Sequence, residues 1–308
     1  METRKIGSLN VSIAGLGCNN FGWRLDYDRT VAVVDAALEA GINLLDTADI
    51  YGSTESEEFL GRALQGLRGK VVLATKFGMK MDEQRQGARP DYVRRACEDS
   101  LRRLRTDHID LYQLHEPDPS TPIGDTLAAL DELVRAGKVR EIGCSNFSAQ
   151  QLREAKAAAG TGAKFVSVQN EYSLLHREPE QEVLAECERE GLAFLPFFPL
   201  ASGMLTGKYR RGQPTPENTR LAKGKSRFLN DRNLDIVEEL AGFAASKGHS
   251  LLELAFSWLL SHPQVASVIA GATSPEQVRS NVHAAGWHLS AVDLAEVDKL
   301  ARPVAVAS

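Results

Sequence analysis

Four residues capable of acid–base chemistry stand in short connections that follow apolar runs of the sequence. Asp46 and Tyr51 lie five residues apart in "NLLDTADIYG", Lys76 ends "VVLATK", and His115 ends "IDLYQLH". A free tyrosine, with a pKa of about 10, is too weak an acid to protonate an alkoxide efficiently at neutral pH. A neighbouring ammonium stabilises the phenolate and lowers that pKa, and a carboxylate beside the ammonium keeps it charged.

Together, these four groups predict a site that adds a proton to a carbonyl oxygen. The imidazole of His115 would form a hydrogen bond with the substrate oxygen and orient it. Because no protein side chain donates hydride, the chemistry implies a nicotinamide cofactor. Each residue taken singly has an ordinary explanation, such as capping, packing or surface charge, so the prediction depends on all four occurring in this order.

Short apolar runs that alternate with amphipathic stretches would bring these residues together. The runs with strand character are "SIAGLGC", "NLLDT", "VVLATK", "IDLYQLH", "VREIGCS", "FVSVQN", "AFLPFF" and "VASVIAG". Eight strand–helix repeats predict an α/β fold of the (β/α)8 TIM-barrel class, although a doubly wound sheet uses the same alternation. An N-terminal β-hairpin is expected in "RKIGSLNVSIAGLGC". The motif "GLGCNNFG" lacks the third glycine of a dinucleotide fingerprint, which favours a barrel connection.

A long loop is predicted after the seventh of these strands. The segment "PLASGMLTGKYRRGQPTPENTRLAKGKSRFLNDRN" contains too many glycines and prolines for a helix. Loops of this length in a compact domain are usually functional lids or disordered segments. Its basic residues are Lys208, Arg210, Arg211, Arg220, Lys223, Lys225, Arg227 and Arg232. Since no linker composition occurs elsewhere, residues 1–308 are expected to form a single domain.

The composition excludes several classes of protein. A formal net charge of −5 disfavours nucleic-acid binding, and no apolar run is long enough to span a membrane. The N-terminus lacks the apolar region of a signal peptide, and the four cysteines show no CxxC spacing, so a cytoplasmic protein with reduced thiols is expected. The histidines show no paired ligand spacing, so no metal site is predicted.

Seven blocks of the chain resemble the aldo-keto reductase family, in the order and at the spacing of that family, from Lys5 to about Ala301. The blocks are "GINLLDTADIYG", "VVLATKFG", "IDLYQLHEPD", "GKVREIGCSNFS", "SVQNEYSLL", "FLPFFPLASGMLTGKY" and "VIAGATSPEQVRSN". The resemblance implies a reductase in which Tyr51 is the general acid, Asp46 and Lys76 tune it, and His115 orients the carbonyl.

The same resemblance implies a cofactor that lies extended across the rim of the barrel, with Asp46 beneath it. Ser145, Asn146 and Gln169 would hydrogen-bond the nicotinamide carboxamide, and Phe197 would stack on the ring where the family commonly has tyrosine. The pyrophosphate would contact a segment with the residues Phe198, Pro199, Leu200, Ala201, Ser202 and Lys208.

The sequence favours NADP(H) and leaves NAD(H) open. Many family members place a lysine and an arginine in the last strand–helix connection, where this chain has Gly271 and Gln277. The connection instead resembles the branch related to potassium-channel β subunits, which uses residues like Gly271, Thr273, Gln277 and Asn281. That branch takes its positive charge from the long loop, at positions that resemble Lys208 and Arg220.

The leading hypothesis is therefore a reversible NADP(H)-dependent reductase of aldehydes and ketones. A cofactor-binding, redox-sensing regulatory subunit with little turnover is the alternative, disfavoured because nothing precedes the first hairpin. A lyase or isomerase that uses Lys76 as a Schiff-base amine is disfavoured because Asp46 should keep that amine protonated. The expected partner is a small carbonyl or alcohol substrate, and a monomer suffices while oligomers stay open. The apolar residues expected in the substrate pocket, beside Tyr51 and His115, are Trp23, Phe77, Met79 and Phe147.

Overall fold

The computed structural model describes residues 1–214, 216–217, 219, 221 and 227–301. Its β-strands are β1 (Thr3–Ile6), β2 (Leu9–Ser12), β3 (Ala14–Gly17), β4 (Leu44–Asp46), β5 (Val72–Phe77), β6 (Ile109–Leu114), β7 (Val139–Ser145), β8 (Phe165–Glu171), β9 (Ala193–Phe197) and β10 (Val268–Gly271). Its α-helices are α1 (Tyr27–Glu39), α2 (Glu55–Ala63), α3 (Pro90–Leu104), α4 (Ile123–Arg135), α5 (Ala149–Ala159), α6 (Val183–Glu190), α7 (Asp231–Ser246), α8 (Leu251–Leu260), α9 (Pro275–Ala284) and α10 (Ala291–Ala301).

Eight parallel strands form a nearly closed barrel, in the order β10-β3-β4-β5-β6-β7-β8-β9. The seam between β9 and the segment before β10 is joined by a parallel bridge from Phe194 to Val265. There the amide of Phe194 donates to the carbonyl of Gln264 at 2.7 Å, and that of Ala266 donates to the carbonyl of Phe194 at 3.1 Å. The predicted (β/α)8 barrel is confirmed.

The N-terminal hairpin closes one end of this barrel. Strands β1 and β2 pair antiparallel, from Thr3 opposite Ser12 to Ile6 opposite Leu9. Ile6, Leu9 and Val11 are buried in one apolar cluster with residues of the barrel strands, including Leu44 and Leu111. The opposite end, where the strands finish at their carboxyl ends, is where barrel proteins place their functional residues.

Capped helices hold the strands in place from outside. Asp26 accepts a hydrogen bond from the amide of Arg29 at the start of α1, and Ser148 and Ser250 form capping boxes at α5 and α8. Such caps satisfy backbone amides that have no partner within the helix.

In the part of the chain that the structure describes, no helix has the length and apolar character needed to cross a bilayer.

Strand β5 illustrates how the sheet sorts side chains between two layers. Successive residues of a strand point to opposite faces, and both Thr75 and Lys76 are fully buried. Lys76 points into the barrel towards Asp46, whereas Thr75 points outwards to Glu57 on α2. One strand therefore contributes to two separate polar clusters.

The predicted long loop follows β9. It begins with a short 3-10 segment, Ala201–Thr206, and lies between β9 and α7 in the chain. Arg220, Lys223 and Lys225 lie outside the described residues.

Candidate active site

Lys76, Asp46 and Tyr51 meet at the carboxyl end of the barrel. The Lys76 ammonium donates a hydrogen bond to Asp46 Oδ2 at 2.6 Å and to the carbonyl of Thr47 at 2.9 Å. Its Nζ atom lies 3.5 Å from the hydroxyl of Tyr51. The amine is fully buried beneath the other two groups, so solvent does not screen its charge.

The connection after β4 carries Tyr51 back to this point. The amides of Thr47 and Asp49 donate to the carbonyls of Ala74 and Lys76 on β5, at 2.9 and 3.0 Å. The chain then turns sharply at Gly52, which has a φ of +56°. A Cβ atom at Gly52 would lie 2.5 Å from the carbonyl oxygen of Phe21, so only glycine fits this turn.

Burial and charge act on Tyr51 in opposite directions. Burial raises the pKa of the Tyr51 phenol, and the Lys76 ammonium lowers it, with a net displacement above its usual value. The expectation that the ammonium pulls this pKa below normal is therefore wrong for the protein chain alone, because desolvation of the phenolate outweighs the attraction. Burial also lowers the pKa of Lys76, but the charges of Asp46 and Tyr51 and the hydrogen bonds to them together more than offset it and leave this pKa raised.

His115 stands beside Tyr51 as a neutral imidazole. The two rings meet edge to face, with centroids 5.9 Å apart. Burial and, secondarily, the Lys76 charge lower the pKa of His115 to about 3. Its buried Nδ1 atom has no hydrogen-bond partner in the described parts of the chain. His115 also lines the cavity, so a ligand there can contact the imidazole.

Amide side chains complete the environment of Asp46. Its Oδ1 atom accepts hydrogen bonds from Gln113 at 3.2 Å and from Gln169 at 3.1 Å. Ser145 donates to the carbonyl of Gln169 at 2.6 Å, and Asn146 donates to the carbonyl of His115 at 2.9 Å. Sequence reasoning missed Gln113, since its position inside the barrel follows only from the register of β6.

A cavity of about 800 Å³ opens above these groups. Its wall contains Asp46, Tyr51 and His115. The wall also includes, from the predicted cofactor contacts, Ser145, Asn146, Gln169, Phe197, Phe198, Pro199, Leu200, Ser202, Lys208, Gly271, Thr273, Gln277 and Asn281. Ala201 is buried outside this wall, and Arg220 lies outside the described residues.

The expected apolar substrate pocket is only partly found. Met79 lines the cavity, but Phe77 is fully buried and stacks on Tyr112 with centroids 4.6 Å apart. Phe77 follows Lys76 on β5 and therefore points to the opposite face of the strand. Phe147 packs against another ring in the core, and Trp23 is 63% exposed outside the cavity wall.

The connection after β3 contributes residues to the cavity that were not predicted from the sequence. Asn19, Asn20 and Arg24 line the cavity there, and Asn20 donates to the carbonyl of Ala272 at 3.2 Å. The rule that residues after each barrel strand share a rim would have found them, had it been applied to "GLGCNN".

The segment that follows β9, beside the cavity, has an unusual backbone conformation. Phe198, Ala201 and Ser202 adopt left-handed φ angles of +49°, +45° and +57°, which non-glycine residues rarely do. Within this turn the amides of Ala201 and Gly203 donate to the carbonyls of Phe198 and Leu200, both at 2.8 Å. Lys208 borders the same cavity, as does the start of α9. These features fit a dinucleotide with an extended pyrophosphate.

Two of the described basic residues of the long loop pair with acidic side chains outside it. Arg211 pairs with Asp235 on α7, and Arg227 pairs with Glu171 at the end of β8. Among the loop's basic residues that the structure describes, Lys208 alone lines the cavity.

In the connection between β10 and α9, the amide of Thr273 donates to Gln277 Oε1 at 2.8 Å, which orders the turn before α9.

Sequence comparison gives a family match over nearly the whole chain. The model of the Aldo/keto reductase family matches residues 14–302. The chain is 35% identical to the uncharacterized oxidoreductase YqkF of Bacillus subtilis, over 92% of this chain and 91% of that protein. It is 34% identical to the aldo-keto reductase YhdN of the same species, over 95% and 90%.

Solved structures give the same result. The aldo-keto reductase AKR11C1 from Bacillus halodurans, in its holo form, superposes with a TM-score of 0.83 at 34% identity, over 98% of this chain and 97% of that one. The glycerol dehydrogenase AKR11B4 from Gluconobacter oxydans superposes with a TM-score of 0.86 at 31% identity, over 99% and 98%. These proteins share the barrel described above. The chain is an oxidoreductase that belongs to the aldo/keto reductase family.

Proposed function

We propose that this protein reduces aldehydes and ketones to alcohols with NADP(H), and runs in reverse where the equilibrium allows. The observation that carries the proposal is the Tyr51 hydroxyl, which faces the cavity 3.5 Å from the buried Lys76 ammonium. A proton donor next to a fixed positive charge suits a reaction in which an oxygen gains a proton.

Tyr51 donates the proton in this proposal. Because its pKa is raised, the phenol keeps its proton at neutral pH and releases it only when a more basic oxygen forms nearby. The Lys76 ammonium then stabilises the phenolate that is left, and Asp46 holds the ammonium charged and in place. Preorganised charge of this kind stabilises a transition state without rearrangement during the reaction.

His115 positions the substrate. As a neutral imidazole that lines the cavity, it can hydrogen-bond the carbonyl oxygen next to the Tyr51 hydroxyl. It does not compete as a proton donor at neutral pH, since its pKa of about 3 leaves it unprotonated. Because Tyr51 and His115 both hydrogen-bond the same oxygen, they restrict the orientation of the carbonyl carbon towards the cofactor site.

The rest of the cavity would hold the cofactor, whose nicotinamide supplies hydride when bound. Ser145, Asn146 and Gln169 provide the donors and acceptors for its carboxamide, and Phe197 offers a ring face for stacking. The left-handed backbone that follows Phe197 and the Lys208 ammonium suit its phosphates.

We assign NADP(H) rather than NAD(H) because of positive charge in the long loop. Lys208 supplies charge at the cavity, and Arg220 remains the sequence-based candidate for the 2′-phosphate. The reverse direction is supported by the glycerol dehydrogenase from Gluconobacter oxydans, whose name gives a small polyol as its substrate. We further propose that residues 1–308 act as one catalytic unit in the cytoplasm.

Turnover tests this function directly. Purified protein is mixed with NADPH or NADH and a panel of aldehydes and ketones that includes 4-nitrobenzaldehyde, and cofactor absorbance is followed. We expect NADPH oxidation with at least some of the panel, at a higher kcat/KM than with NADH. Tight NADPH binding without oxidation across the panel would contradict the proposal and favour a regulatory subunit.

A further inference from the structure

A second polar cluster is buried on the outer side of β5, between the barrel and its helices. Glu57 of α2 is fully buried there. Its Oε1 atom accepts a hydrogen bond from Thr75 at 2.6 Å, and its Oε2 atom accepts one from Arg103 of α3, also at 2.6 Å. Both oxygens are thus satisfied by donors, as expected for an ionised carboxylate.

Asp49 adds a second carboxyl group to this cluster. It lies in the Asp46–Tyr51 connection and is 2% exposed. Its Oδ1 atom has no hydrogen-bond partner among the residues that the structure describes. Arg103 already neutralises Glu57, and the charge of Glu57 acts on Asp49, so an ionised Asp49 would be a second buried negative charge in this cluster. An arrangement of this kind normally resolves by protonation of one acid.

The electrostatic surroundings of Asp49 also favour its protonated form. Burial, followed by the charge of Glu57, raises its pKa to about 7. Arg103, a hydrogen bond from the backbone of Ile50, and Arg85 act in the opposite direction but do not overcome the first two effects. At pH 7, about half of the Asp49 side chains therefore still hold a proton that a surface aspartate would have lost.

The backbone of Asp49 connects this cluster to the cavity. Its amide donates to the carbonyl of Lys76 at 3.0 Å, and the amide of Tyr51 donates to the carbonyl of Ala48 at 3.2 Å. Any shift of Asp49 to relieve a buried charge would therefore move the turn that carries Tyr51. The Asp49 side chain and the Tyr51 hydroxyl lie in different layers but share one short segment of chain.

We propose that Asp49 is a positioning residue, protonated beside the Glu57–Arg103 pair, and that loss of its proton displaces Tyr51 from Lys76. The inference deepens the proposed reductase function and rests on it for its kinetic test. Its consequence is a fall in kcat as the pH rises through the neutral range. This fall in kcat follows from ionisation of Asp49 in the outer layer of the barrel, and not from titration of Tyr51.

Among the described residues, the titratable groups that interact electrostatically with Asp49 come from α2, α3, β6 and the connection after β5. They are Glu57 from α2, Arg103 and Tyr92 from α3, Arg85 from the connection after β5, and Tyr112 from β6. Burial raises the pKa values of both tyrosines above normal, so neither ionises in the neutral range. Thr75 from β5 carries no charge. Asp49 is thus the group in this set that changes charge near neutral pH.

The first test measures the protonation state of Asp49 directly and does not depend on enzymatic activity. The wild-type protein is prepared with the aspartate carboxyl carbons labelled with carbon-13, and their NMR resonances are followed from about pH 5 to about pH 9. We expect one aspartate resonance to titrate with a midpoint near 7, and the same resonance to be missing from Asp49→Asn. Absence of any aspartate titration in that range, or its persistence in the variant, would overturn the proposal.

The second test is kinetic and compares wild type with Asp49→Asn, whose amide mimics the protonated acid. Wild-type kcat for carbonyl reduction with NADPH should fall about tenfold between about pH 6 and about pH 8, while the variant stays within about twofold of its value at pH 6. KM for NADPH should remain constant in both. A wild-type fall that the variant shares would overturn the proposal.

The two tests separate this inference from the proposed function. If no substrate is turned over, the reductase assignment fails, whereas the NMR titration still decides whether Asp49 holds the proton. If the Asp49→Asn variant does not fold, the midpoint of the wild-type resonance decides the point without it.

Discussion

The two faces of β5 carry similar buried ion pairs that differ in access. On the inner face, Lys76 pairs with Asp46 at 2.6 Å beneath the cavity. On the outer face, Thr75 contacts Glu57, which pairs with Arg103 at 2.6 Å between strand and helices. The inner pair lies next to a phenol that borders open space, whereas the outer pair is enclosed. Position relative to the cavity, and not the pair itself, separates a chemical site from a structural one.

The comparison also shows how burial shapes acidity on each side. Tyr51 on the inner side and Asp49 on the outer side are both kept protonated mainly by desolvation. On the inner side, the Lys76 ammonium lies 3.5 Å from the Tyr51 hydroxyl and can stabilise its ionised form. Tyr51 also borders the cavity and can pass a proton to a substrate during turnover, whereas Asp49 is enclosed.

The largest expected effect comes from removal of the inner cation. Lys76→Met keeps the length of the side chain but deprives the phenolate of its stabilising charge. We expect kcat for carbonyl reduction to fall about 10³-fold, within the range for loss of acid–base assistance. Steady-state kinetics with NADPH measure this fall, and cofactor fluorescence checks that binding is retained. A loss under tenfold would mean that the two faces do not differ as described.

The outer face should respond in stability instead. Thr75→Val removes the hydroxyl that donates to Glu57 and keeps the shape of the side chain. One lost hydrogen bond to a buried charged group should lower the free energy of unfolding by about 2 kcal/mol, with kcat changed less than about threefold. Urea denaturation and kinetics at one pH measure both. A fall in kcat comparable to that of Lys76→Met would erase the contrast between the faces.

The smallest expected effect is on cofactor binding at Lys208, which lines the cavity. Lys208→Ala should raise the Kd for NADPH about tenfold, as expected for loss of a charge-assisted contact worth about 1.4 kcal/mol. Arg211→Ala is the matched control, since Arg211 lies on the same loop and pairs with Asp235. Fluorescence titration should show no change in the control. Equal losses in both variants would indicate a general effect of loop charge.

Much of this arrangement is predictable from the sequence. Strand–helix alternation indicates the barrel, and Asp46, Lys76 and His115 each fall at or just after the carboxyl end of a strand. The rule that such residues share a rim brings them together before any coordinates are known. Tyr51 joins them because a short connection keeps it near the same rim.

Other features depend on packing that the pattern does not show. The error over Phe77 was avoidable, since a residue next to Lys76 on one strand must point the other way. The raised pKa of Tyr51 could not be predicted from the sequence, because it depends on how deeply the phenol is desolvated. The approach of Asp49 to Glu57 likewise depends on how α2 docks against the barrel.

The most direct test of the central claim is the activity of Tyr51→Phe beside that of Tyr112→Phe. Tyr112 is a buried tyrosine of the next strand whose hydroxyl has no hydrogen-bond partner within the described structure. We predict that Tyr51→Phe lowers kcat about 10³-fold with the Kd for NADPH within about twofold, while Tyr112→Phe keeps wild-type kcat. Wild-type kcat in Tyr51→Phe would show that another group delivers the proton.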